Sequence, residues 1–170
     1  MGFIKYLAIL AVAAFVISLG VAWVANSGHS KQYSFRPSVI MTIYVDRGGE
    51  FIQYYENIKE ERRRGVFYAI KGICASACTM RLSRSCVYPT AKLLFHTPYA
   101  IPTELPDDVT AEEANERVDY LRQIMMRTLP GPVQAWASEN GALNDLHLTQ
   151  LPFDQMIKMG IPDCRDLIRG

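Results

Sequence analysis

The stretch Gly72-Ile73-Cys74-Ala75-Ser76-Ala77-Cys78-Thr79 sets one serine among small residues, and Leu93-Leu94-Phe95-His96-Thr97-Pro98 ends an apolar run on a histidine. A serine hydroxyl becomes a nucleophile when a base stands within hydrogen-bond reach, and small neighbours leave a carbonyl room to approach. Earlier, Val45-Asp46-Arg47-Gly48-Gly49-Glu50 passes from a strand-like segment through a glycine pair into a helical pattern. Backbone N–H groups at such a junction can face a developing oxyanion. Acyl transfer is the chemistry these motifs could share. Each also has a plainer reading. Ser76 could cap a helix at a tight junction, and His96 could bond a backbone carbonyl at a strand end. A thiolate of Cys74 or Cys78 is an alternative nucleophile for the same base, and His147 is a spare base beside Asn144 and Asp145.

Such a site needs strand ends to hold it. Val39-Ile40-Met41-Thr42-Ile43-Tyr44-Val45 is β-branched and aromatic, which marks a strand. After the glycine pair, Phe51, Tyr55, Ile58 and the stem of Arg62 recur at helical spacing, and Gly65 stops that helix. Val66-Phe67-Tyr68-Ala69-Ile70 reads as the next strand, and strand, helix and strand in this order predict a right-handed parallel crossover. A short helix is predicted through Thr79-Met80-Arg81-Leu82. Cys86-Val87-Tyr88 and Lys92-Leu93-Leu94-Phe95 read as strands turned by Pro89-Thr90-Ala91. Residues 99–108 are proline-rich and patternless, a surface loop close to His96. Thr110-Ala111-Glu112-Glu113 is a capping box. Behind it, Ala114, Val118, Leu121 and Met125 mark one face of a long helix ended by Pro130 and Pro132. A shorter helix over Val133–Glu139 closes at Asn140-Gly141.

Strand–Gly-Gly–helix, strand–Gly-x-x-x-Ser–helix and strand–Phe-His-x-Pro, in this order, resemble the proteolytic subunit of Clp proteases. The closer likeness is to exported proteins of that kind whose nucleophile loop reads Gly-x-Cys-Ala-Ser-Ala-Cys-Thr, within the wider crotonase-like superfamily. The likeness runs from about Val39 to Cys164. It implies an α/β fold, a crotonase-like spiral core of ββα units reduced in size. It also implies Ser76 as nucleophile, His96 as general base, and the N–H groups of Gly49 and Ala77 as the oxyanion hole. The family's third residue, an aspartate, precedes a Leu-Ser-x-x-Glu-Ala helix that ends in Gly-Leu. Here that helix corresponds to Leu151-Pro152-Phe153-Asp154-Gln155-Met156-Ile157-Lys158-Met159-Gly160-Ile161, and the register lands on Asn144 with Asp145 beside it. Asparagine orients a histidine but stabilises the imidazolium less than a carboxylate does. Two functions are implied: a serine hydrolase, most simply a peptidase acting on peptide or protein, or a module that keeps the fold for binding or assembly. A crotonase-type acyl-CoA enzyme is a third. In the family the long helix after the histidine builds rings, which raises homo-oligomer formation as an expectation here.

At 170 residues the chain suits one domain with a core. A net charge of +1 gives no sign of nucleic-acid binding. The run Lys59-Glu60-Glu61-Arg62-Arg63-Arg64 reads as a solvated helix end, its arginines facing the helix dipole. Cys74, Cys78, Cys86 and Cys164 are an even set, consistent with two disulfides in an oxidising compartment, and four cysteines allow three pairings. Their spacings do not form paired Cys-x-x-Cys motifs, so no zinc site is expected, and no cofactor is implied. From Tyr6 to Ala25 the chain is uncharged and apolar or small, long enough to cross a hydrocarbon core. Residues 1–26 are therefore expected to be a transmembrane anchor or signal sequence, 27–38 a linker and 39–170 the domain. With Trp23 at the far end of the span and cysteines available for bridging, the domain is placed outside the cytoplasm, on the periplasmic face, secreted if the N-terminal segment is cleaved.

Overall fold

The β-branched run at the start of the domain forms β1 (Val39–Asp46) in a computed structural model that describes residues 38–99 and 109–167. The anchor expected over residues 1–26 lies outside the described residues. Among those described, no helix is long and apolar enough to cross a membrane.

A glycine pair ends β1, and Glu50 then caps α1 (Phe51–Arg63), its carboxylate accepting from the N–H groups of Ile52 and Gln53. Gly65, at φ +72°, turns the chain out of α1. β2 (Val66–Ala75) returns parallel to β1, the geometry expected of the crossover. β2 runs on past Ile70, where the sequence suggested it would end. A 3-10 segment, Ser76–Arg84, comes directly after it and occupies the place of the predicted short helix.

The next two strands differ from the sequence reading. β3 (Ser85–Val87) and β4 (Lys92–Phe95) do not pair with one another; each pairs in parallel with β2. β3 lies against Tyr68–Ile70 and β4 against Ile73–Ala75. They are two halves of one line, interrupted at Pro89, which has no N–H to give a ladder. The interruption faces an irregularity in β2, where the register with β1 slips between Ile43 and Val45. At that slip Gly72 lies so close to β1 that a Cβ would stand 2.0 Å from the Tyr44 carbonyl oxygen. Bulges of this kind bend a strand and re-aim the side chains beyond them.

The capping box forms as expected at the start of α2 (Ala111–Thr128), with Thr110 and Glu113 each satisfying the other's backbone N–H. α3 (Gly131–Glu139), β5 (Thr149–Leu151), α4 (Phe153–Lys158) and α5 (Cys164–Leu167) complete the described chain. The sheet order is β1-β2-β4-β5, with β3 beside β2 and β5 antiparallel to β4. This is a mixed α/β fold with helices packed on a largely parallel sheet.

The core gathers on one face of that sheet. Tyr68 and Ile70 of β2, Leu93 and Phe95 of β4, and Leu151 of β5 pack with Ile58, Met80, Met125, Val133 and Met156. Each such side chain contributes roughly 1.5–3 kcal/mol by leaving water. The opposite face holds a smaller cluster, Phe67, Ala69, Cys86 and Cys164. β2 is thus covered on both faces, as parallel strands normally are. The cysteines resolve into Cys74–Cys78 and Cys86–Cys164, which leaves none for a metal site.

Candidate active site

Parallel pairing brings the ends of β1, β2 and β4 together. Asp46 pairs with Cys74, and Ala75 pairs with Leu94. The residues just past those ends are Gly48-Gly49, Ser76 and His96, so three distant motifs meet at the carboxyl edge of one sheet. Open α/β sheets bind their ligands at such an edge. Ser76 and His96 are both half-buried, within reach of a substrate.

Ser76 has φ +56°, the one non-glycine with positive φ among the described residues. A serine held on a sharp strand-to-helix turn presents its hydroxyl outward rather than along the strand. The turn is fixed from several sides. Thr79 Oγ1 donates to the Ser76 carbonyl at 2.7 Å. The Cys74–Cys78 bridge, with Cα atoms 5.3 Å apart, spans the serine. Gly48 presses against it from the end of β1: a Cβ there would stand 2.9 Å from both the Ala77 nitrogen and Ser76 Cβ. With φ at +79° as well, position 48 admits only glycine without strain.

The two backbone donors differ in their freedom. Gly48 gives its N–H to Asp46 Oδ1 at 2.9 Å. Gly49 next to it is exposed, with open space where a Cβ would point. Ala77 is the second residue of the 3-10 segment, where N–H groups have no partner within the helix. An oxyanion between the two strand ends could accept from Gly49 and Ala77.

His96 Nδ1 lies 2.6 Å from the carbonyl oxygen of Thr97. A carbonyl only accepts, so this contact calls for a proton on Nδ1, and in the neutral ring the lone pair is then on Nε2. That is the tautomer of a general base. The Tyr99 ring lies 5.9 Å from the imidazole.

The third position separates into two facts. The backbone of Asp145 reaches the site, its carbonyl accepting from Thr97 N–H at 2.7 Å. Its carboxylate instead accepts from the N–H of His147 at 2.8 Å and lies 3.4 Å from that imidazole. The Asn144 amide lies toward Gly141, 3.0 Å from where a Cβ would stand. Among the described residues, no hydrogen bond joins the side chain of Asn144 or Asp145 to His96. The imidazole is oriented by a backbone carbonyl instead. His147 pairs with Asp145 at the exposed surface.

The sequence reading missed a cluster beneath the glycine pair. Arg81 has a side chain only 10% exposed and sits between Asp46 and Glu61, over the rings of Tyr54 and Tyr68. Burial pulls its pKa down, and Asp46 opposes that. Burial and the hydrogen bond to Glu61 push the Tyr68 phenol up. A charge set in the apolar run Met80-Arg81-Leu82 was the available signal. A cleft of about 320 Å3 borders this cluster, lined by Met41, Tyr44, Asp46, Tyr68 and Arg81 among others. It includes neither Ser76 nor His96, and so lies apart from the serine.

No protein-family model matches the sequence, and no curated protein matches it. A solved structure described as the crystal structure of an enzyme superposes with a TM-score of 0.50. The superposition covers 76% of this chain and 78% of that one, at 10% identity. Similarity at that identity is a similarity of fold, and the chemistry has to be argued from the site.

Proposed function

We propose that this chain is a serine hydrolase, acting as a peptidase by acyl transfer through Ser76, on a reduced core of the Clp-protease and crotonase-like kind. Ser76 Oγ attacks the carbonyl carbon while His96 Nε2 takes its proton. The oxyanion accepts from the N–H groups of Gly49 and Ala77. Collapse of the tetrahedral intermediate breaks the scissile bond, and His96 returns the proton to the leaving group. Water then attacks the acyl-enzyme by the same route and frees the acid. The observation that carries this reading is the left-handed backbone of Ser76, with Gly48 packed against it and His96 one residue beyond the neighbouring strand. A backbone conformation that costs of order 1–3 kcal/mol persists where surroundings impose it, and functional sites are where it concentrates.

The domain is proposed to act outside the cytoplasm, held at the membrane by residues 6–25, because both disulfides suit an oxidising compartment. The test of function is turnover of a broad peptide and ester panel by the full chain, wild type beside Ser76→Ala. Hydrolysis that disappears in a folded Ser76→Ala variant is the expected result; equal rates for the two proteins would overturn the assignment.

One observation favours a second reading. The Asp145 carboxylate is turned to His147, and among the described residues no carboxylate is hydrogen-bonded to His96. A fold kept as a binding or assembly module would have that appearance. That module predicts a Ser76→Ala protein that retains its biological role.

A further inference from the structure

Gly48 gives its N–H to one oxygen of Asp46 at 2.9 Å, and the other oxygen meets Arg81 Nη1 at 2.7 Å. Asp46 is the last residue of β1, while Arg81 belongs to the 3-10 segment that Ser76 opens. One carboxylate and one guanidinium therefore join the two loops whose Gly49 and Ala77 N–H groups would have to converge. Their own positions are braced in turn. Arg81 Nη2 contacts both oxygens of Glu61 at 3.2 Å. Its guanidinium lies 4.4 Å from the centre of the Tyr54 ring and 5.1 Å from that of Tyr68. The Tyr54 hydroxyl donates to Asp46, and the Tyr68 hydroxyl to Glu61. β1, α1, β2 and the 3-10 segment all contribute.

We propose that Asp46 and Arg81 are positioning residues for acyl transfer, setting the separation of the Gly49 and Ala77 N–H groups so that both meet one oxyanion. The proposal rests on the reading of Ser76 as nucleophile. Two considerations support it. A largely buried ion pair such as this, with the Asp46 side chain 24% exposed, is a weak source of net stability, since desolvation offsets much of the attraction, whereas it does fix geometry. Moreover, oxyanion donors act only when aimed at where charge develops: losing one lowers kcat by about 10²–10³-fold. A displacement of about 1 Å in a catalytic constellation can lower the rate by about 10²-fold.

The experiment uses the full-length, oxidised protein with Asp46→Asn and Tyr54→Phe. Asparagine keeps an oxygen for Gly48 and removes the charge that faces Arg81. Phenylalanine keeps the ion pair and removes one brace. The readouts are kcat and KM on an ester substrate, and affinity for a boronate that mimics the tetrahedral intermediate. Asp46→Asn is expected to lower kcat by about 10–10²-fold with KM within about twofold, and boronate affinity is expected to fall in step with kcat/KM. Tyr54→Phe should give a smaller loss of the same pattern. A folded Asp46→Asn protein with wild-type kcat would overturn the proposal. If Asp46→Asn does not fold, Tyr54→Phe decides: unchanged kcat and boronate affinity overturn it, and a fall in both supports it. A wild-type protein that neither turns over ester nor binds boronate refutes the nucleophile itself, an outcome distinct from failure of the clasp.

Discussion

Ser76 sits at φ +56°, where the Cβ of an L-residue crowds its own backbone and glycine is the residue at ease. At Gly48, Gly65, Gly141 and Gly160 a positive φ is taken by glycine. Strain at Ser76 therefore makes a prediction that separates chemistry from stability. Ser76→Ala keeps the strain, whereas Ser76→Gly relieves it, so the glycine variant should be more stable than the alanine variant by about 1 kcal/mol. Denaturant midpoints of the two variants measure the difference; equal midpoints would show that the turn holds no strain. Ser76 and His96 stood out through the order of the Gly-Gly, Gly-x-x-x-Ser and Phe-His-x-Pro motifs, since either residue alone reads equally well as a cap or a strand-end histidine. For Arg81 the one signal was its place in the apolar run Met80-Arg81-Leu82, and nothing in the sequence named Asp46 as its partner. Only the fold puts Arg81 beside a carboxylate at the end of β1 and beneath a glycine pair.

At the scale of elements, β1, α1 and the capping box were readable because each carries its signal locally. β-branched runs, helical spacing and the Thr110–Glu113 exchange need no tertiary partner to be recognised. β3 and β4 were misread because Pro89 and Thr90 carry the chemistry of a turn between paired strands. They turn the chain only far enough to resume along β2, where Tyr88 N–H meets the Ile70 carbonyl at 2.8 Å. The end of β2 was missed for a related reason: Gly72 weakens a strand signal, yet its missing side chain is what lets β1 approach. Disulfide pairing lay beyond the sequence too, since four cysteines are compatible with three arrangements. The two bridges should now behave differently. Cys86–Cys164 closes a separation of 78 residues and Cys74–Cys78 one of 4. Chain-entropy arguments give the long bridge roughly 4–5 kcal/mol and the short one about 2 kcal/mol. Replacing Cys86 and Cys164 with alanine should lower the melting temperature more than replacing Cys74 and Cys78. Activity should show the reverse order, because the short bridge spans Ser76. A short-bridge variant with full turnover would contradict its assigned role at the turn.

Across the described domain, three parallel strands carry one motif each to a common edge. Gly49 is exposed, Ser76 and His96 are half-buried, and the core lies behind them among Phe95, Leu93 and Tyr68. The same arrangement places the Asp145 carboxylate at the surface, facing His147. As proposed, the hydrolase would rely on the Thr97 carbonyl to orient His96 and on backbone donors to hold the oxyanion. In serine hydrolases the oxyanion donors are the part of the site whose contribution survives removal of a triad member. The most direct test is a fluorophosphonate probe applied to the oxidised full-length protein, with the adduct mapped by peptide mass spectrometry. The account predicts one phosphonyl group, on Ser76, and none in Ser76→Ala. A folded protein with both disulfides formed and no adduct at Ser76 would contradict it.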